Sequence, residues 1–153
     1  MSAEAKLVEL GLTLPPASEP KGLYRSAVVV GGLLHTSGHL PAADDGTLVT
    51  GRIGEGLDTD AGFDAAQRAG MSILATVRKE LGTLDRVGRV VKILGLVNCT
   101  ADFTAQPAVI NGCSQLFADV FGDELGIGAR SAVGVGSLPL GTPVEIEAVF
   151  EIE

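Results

Sequence analysis

Hydrophobic and polar residues alternate most regularly at the C-terminus. There Val144, Ile146, Ala148, Phe150 and Ile152 interleave with Glu145, Glu147, Val149, Glu151 and Glu153. A period of two is that of a strand, here with one apolar and one mostly acidic side. Earlier in the chain, Phe63, Ala66, Gly70, Ile73, Val77 and Leu81 recur every three or four residues. This predicts a helix that starts near Asp58–Asp60, whose carboxylates suit an N-cap, and stops at Gly82. A second helix is predicted from Pro107 to Phe121, with Val109, Ile110, Cys113, Leu116, Phe117 and Val120 inside and Gly122 at its end.

The other β-type runs are Tyr24–Val30 and Leu33–Ser37, joined by Gly31-Gly32 as a hairpin, then Val90–Val97 and Arg130–Val135. A turn at 138–143 leads into the last strand. Residues 2–11 suggest a short helix capped by Ser2, and the proline-bearing stretch Thr13–Gly22 an irregular arm. Gly38–Gly56 reads as a long connection with a short strand near Leu48. The expected organisation is an N-terminal helix and arm over 1–22 and one domain over 23–153. Its order is β-β-α-β-α-β-β, an α+β two-layer domain with both helices on one face of a mixed sheet. The other face calls for a cover, and a second subunit is the natural one.

At 153 residues the chain is long enough for one domain with a sizeable core. Its 19 acidic and 11 basic residues leave a net charge of -8, and the longest basic run is Arg78-Lys79. Nucleic acid is therefore a poor partner. Glu4 and Glu9 interrupt the N-terminal apolar residues, and no apolar run approaches the length of a membrane span, so a cytoplasmic protein without membrane contact is expected. Cys99 and Cys113 lack metal-ligand spacing and read as buried thiols. His35 and His39 lack an obvious third ligand and read as structural, so no metal is expected.

Arg130 is the only basic residue after Lys92. A lone guanidinium wants an anion, either a substrate carboxylate or an internal acid such as Glu145 or Glu147 across the tail strands. Here the residues carry a resemblance. Tyr24, LLHTSGHLP at 33–41, Asn111, ARSAVGVGSLP at 129–139 and VEIEA at 144–148 together resemble the reactive intermediate deaminase family. This family is also called Rid or YjgF, or endoribonuclease L-PSP, and its fold is trimeric and chorismate-mutase-like.

The resemblance implies hydrolysis of 2-imino acids or their enamines to 2-keto acids and ammonia, without cofactor, at clefts between the subunits of a homotrimer. It assigns Arg130 to the substrate carboxylate and Glu145 to the attacking water. Ser37 and Gly38 would line the pocket and Asn111 would lie near the Arg. Tyr24 would close the cleft from the neighbouring subunit, the plainer alternative being an aromatic that covers its own subunit. Ala132 stands where some members have Cys, so only its backbone could take part, and His39 stands where Gln is common. The extension before Tyr24 and the connection 99–109 are longer than in compact members and could reshape the cleft.

An imine is already electrophilic, so positioning and one water-orienting carboxylate suffice. The alternative is a non-catalytic binder of small carboxylates such as keto acids. Ribonuclease activity sits poorly with the acidic charge. Chorismate mutase chemistry would need more than one cation for its dicarboxylate.

Overall fold

A computed structural model describes the whole chain, Met1–Glu153. The elements are α1 (Ala3–Glu9), β1 (Ala27–Val30), β2 (Leu33–Thr36), β3 (Arg52–Ile53), β4 (Gly56–Leu57), α2 (Thr59–Leu81), β5 (Val87–Asn98), α3 (Gln106–Phe121), α4 (Asp123–Gly126), β6 (Ala129–Val135) and β7 (Val144–Ile152). Five strands form one mixed sheet in the order β1-β2-β7-β5-β6, antiparallel except for the β5/β6 pair. No helix is long and apolar enough to cross a membrane.

Local chemistry accounts for the element ends. The Asp58 carboxylate accepts from the Ala61 amide at 2.8 Å and starts α2, and Gly82, at φ 83°, stops it in the left-handed region that glycine tolerates. Pro107 sits in the first turn of α3, where its missing N–H costs nothing. Gly31 and Gly32, at φ 55° and 81°, make the tight turn between β1 and β2.

The predicted apolar stripes of α2 and α3 face the sheet. They bury Ile73, Val77, Ile110, Leu116 and Phe117 against Val90, Ile93, Ile146 and Phe150. Phe117, Phe121 and Phe150 meet edge to face, with centroids 5.6–6.4 Å apart. The two helices approach each other through glycine. A Cβ on Gly112 would stand 2.0 Å from the Phe63 carbonyl oxygen and 3.0 Å from the Gln67 nitrogen, both on α2.

The N-terminal helix joins this packing. Ala3, Leu7 and Leu14 belong to the core, and the Glu4 carboxylate accepts from the Leu84 amide at 2.9 Å while pairing with Arg78 at 3.3 Å. It therefore docks on the helix layer, on the side of α3 and residues 84–86.

Three expectations needed revision. Tyr24 lies outside the first strand, which begins only at Ala27 because residues 22–26 bend over α2. Leu48 forms just a lone bridge to Ala42, and the connection instead holds the parallel pair β3/β4, which needs positive φ at Gly54 and Gly56. The two tail strands are not neighbours either: β5 lies between β6 and β7, because α3 returns the chain to the far edge, where β6 runs parallel to β5.

Gly112→Ala is expected to lower stability by about 3 kcal/mol, since a backbone carbonyl offers no rotamer to move aside. Thermal denaturation of the variant beside the wild type checks it.

Candidate active site

Strand β7 sends successive residues to opposite sides of the sheet. Val144, Ile146, Ala148 and Phe150 are buried under the helices, and Glu145, Glu147, Val149 and Glu151 face the open side. Glu145 stands opposite Leu96 of β5. On its other flank the chain leaves β2 through Ser37 and Gly38 and rejoins β7 at a bridge in which the His39 amide donates to the Ile146 carbonyl at 2.7 Å and the Ile146 amide donates back at 3.0 Å. Gly38 is thereby laid against Glu145. A Cβ there would fall 2.6 Å from Oε1 and 2.8 Å from Cδ, so the carboxyl rests on bare backbone.

Glu145 is half-buried and has no hydrogen-bonded partner in the chain. Burial pushes its pKa above the ordinary carboxylate value, and the like charge of Glu147 adds to the shift. Ser37 faces the arm: its hydroxyl donates to the Arg25 carbonyl at 2.5 Å, and its amide to the Ser26 carbonyl at 2.9 Å. Tyr24, next to these residues, is exposed, and its hydroxyl meets only the Lys21 amide, at 3.5 Å.

Arg130 lies elsewhere. Its register against Ile93 and its contacts with α3 put it on the helix-covered face, at the outer edge of the sheet. Nη1 donates to Asn111 Oδ1 at 2.7 Å and to Ser114 Oγ at 3.1 Å. None of the ion pairs includes Arg130, so the internal-acid reading fails. The cause is topological: Glu145 and Glu147 are two strands away, beyond β5, and on the other face. With both Nη1 protons engaged, the Nε–Nη2 edge keeps the fork geometry that a carboxylate matches. Ala132 packs beside it against the core.

One chain thus carries two half-sites on opposite faces of its sheet. Ser37, Gly38 and Glu145 come together on one, with Tyr24 close by along the arm; Arg130, Asn111 and Ala132 come together on the other. Ser114 was not singled out from the sequence, although its place three residues after Asn111 puts both on one helix face.

The structure is that of a known family. The YjgF/chorismate-mutase-like family model, which carries an endoribonuclease label, matches residues 4–145. The chain belongs to this family. Among its relatives, protein TCP17 of Trypanosoma cruzi is 44% identical over 97% of the chain and 92% of that protein. The 2-iminobutanoate/2-iminopropanoate deaminase of Dermatophagoides farinae is 31% identical over 93% of the chain and 95% of the relative. A crystal structure of a protein of unknown function from Agrobacterium tumefaciens superposes with a TM-score of 0.89 at 40% identity, covering 99% of this chain and 94% of that one. Family membership makes the α+β mixed-sheet fold that of the YjgF group.

The two histidines do not converge. His35 is exposed on the open face between Val28 and Val149, whereas His39 is buried with both ring nitrogens bonded. No group of three or more His, Cys, Asp or Glu side chains is placed to hold a metal ion. Both cysteines are buried, and burial pushes the Cys113 thiol pKa up.

Because Glu145 holds its proton more tightly folded than unfolded, the favourable contribution of its neutral form is present at low pH. It is lost as pH rises from the ordinary value of 4.5 through the raised folded one. Glu145→Gln is therefore expected to gain in melting temperature relative to the wild type between pH 4 and pH 7. Paired thermal scans across that range check the sign.

Proposed function

We propose that this family member hydrolyses small 2-imino acids, and the enamines that tautomerise to them, to 2-keto acids and ammonia. The site would be completed when the Arg130 half-site of one subunit meets the Glu145 half-site of another in a homotrimer. The observation that carries the reading is Arg130 itself: an uncompensated guanidinium, anchored through Nη1 by two neutral side chains, with its Nε–Nη2 edge unengaged. A group so held is suited to a substrate carboxylate. The named deaminase among the relatives supports the same chemistry.

In this reading Arg130 grips the carboxylate and Asn111, whose oxygen serves the guanidinium, turns its amide protons to the ligand. Glu145 accepts a hydrogen bond from water and aims the oxygen at C2 of the imine. The C–O bond forms as the C=N electrons move to nitrogen, and Glu145 takes the water proton. Glu145 returns that proton to the nitrogen, giving the neutral carbinolamine. It then takes the hydroxyl proton and passes it to the amine, which leaves as ammonia with the C–N electron pair while the O–H electrons close the ketone. Imine and water are consumed, keto acid and ammonia leave, and no oxidant or cofactor enters the balance. A raised pKa suits a carboxyl that must take up and return a proton.

Freshly generated 2-iminopropanoate should be hydrolysed faster with the protein than without it. Arg130→Lys keeps the charge but not the fork, and kcat/KM should fall about 100-fold or more, while Arg130→Ala should abolish turnover. Stopped-flow measurement of ammonia and keto-acid release checks this, with oligomeric state followed by light scattering. Keto-acid binding without acceleration in the wild type would instead mark a carboxylate-binding protein.

A further inference from the structure

His39 has the surroundings of a strut. Its ring is buried, with 4% of the residue exposed, and bonded at both nitrogens. Nδ1 lies 2.7 Å from the Ser37 carbonyl oxygen, which can only accept, so Nδ1 carries the proton. Nε2 therefore offers its lone pair, and the Thr76 hydroxyl, 2.7 Å away and buried in α2, donates to it. Burial lowers the pKa of the ring, opposed only in part by the Ser37 hydrogen bond, so the imidazole is neutral at physiological pH. Neither nitrogen remains free for substrate or metal.

The placement of these bonds matters for the site. The Ser37 carbonyl opens the Ser37–Gly38 corner, and Gly38 is the backbone on which the Glu145 carboxyl rests. Apart from the His39–Ile146 bridge, the corner is otherwise tied to the irregular arm, through Arg25 and Ser26. The imidazole links it instead to the long helix α2. We propose that His39 is a positioning residue that ties the Ser37–Gly38 corner to Thr76 and so fixes the seat of Glu145. The inference rests on reading Glu145 as the group that aims the water. A Gln side chain at this position has the same two capacities, an N–H for the Ser37 carbonyl and an oxygen for the Thr76 hydroxyl. Leu fills similar volume with neither.

The test compares wild type, His39→Gln, His39→Leu and Thr76→Val by two readouts. The first is the titration of Glu145 in the unliganded protein, followed by NMR of carboxyl-labelled Glu and assigned with Glu145→Gln; Glu147 is the ionisable neighbour that shifts it. The second is turnover of 2-iminopropanoate. His39→Gln should keep the wild-type titration midpoint and rate. His39→Leu and Thr76→Val should move the midpoint down toward the ordinary carboxylate value, as the loosened corner admits water. They should also cut kcat about 10- to 100-fold with KM within about twofold, because Arg130 still holds the carboxylate.

An unchanged midpoint in His39→Leu and Thr76→Val overturns the proposal, as does a loss in His39→Gln equal to that in His39→Leu. If His39→Leu does not fold, Thr76→Val decides. The titration needs no substrate. A wild type that turns over no imine, yet shows the shifted midpoint in the variants, therefore rejects the deaminase reading and upholds the strut.

Discussion

Everything in this fold hangs on the strict alternation of β7 in the middle of the sheet. A central strand has hydrogen-bonded neighbours on both edges, so its register cannot slip without exchanging every side chain between faces. Here an exchange would bury Glu145, Glu147 and Glu151 among Phe117, Ile110 and Leu74, which the energetics of buried charge forbid. The register that gives the helices their apolar floor is thus the one that presents Glu145 on the other side. Core and chemistry are set by the same row of residues, one position apart.

Much of this was legible from periodicity. The last strand and α2 read almost to the residue, because the signal repeats over many positions and is closed by Asp58 at one end and Gly82 at the other. The short elements were not. The β3/β4 pair is held by glycines at positive φ and by a bridge from Ile53 to Cys99, a contact between residues 46 apart that no local pattern encodes. The separation of β6 from β7 escaped for a similar reason. Two strands joined by a short turn suggest a hairpin, but β5 offered both of them a longer partner.

For the candidate site, the sequence could nominate residues but not their mutual placement. The resemblance named Arg130, Glu145, Ser37, Gly38, Asn111, Tyr24 and Ala132, yet which face each one serves depends on strand order and register. Ser114 and Thr76 went unnoticed because hydroxyl residues in helices are ordinary, and only the partner across the gap shows what each holds. The two histidines show the converse. They stand four residues apart in sequence, one in the strand and one just past its end, and the fold leaves the first exposed on a sheet and turns the second into a buried link between loop and helix.

The neutral cradle of Arg130 bears on how the molecule would behave in salt. The chain as a whole is strongly acidic, so at low ionic strength a small anion approaching from solution meets a repulsive far field. Within the range of a few ångströms it meets a guanidinium with no carboxylate to displace. Added electrolyte weakens the distant repulsion across the Debye length more than it weakens the partly desolvated contact. An anion held there would bind better, not worse, on going from dilute buffer to moderate salt, the reverse of what an exposed basic patch gives.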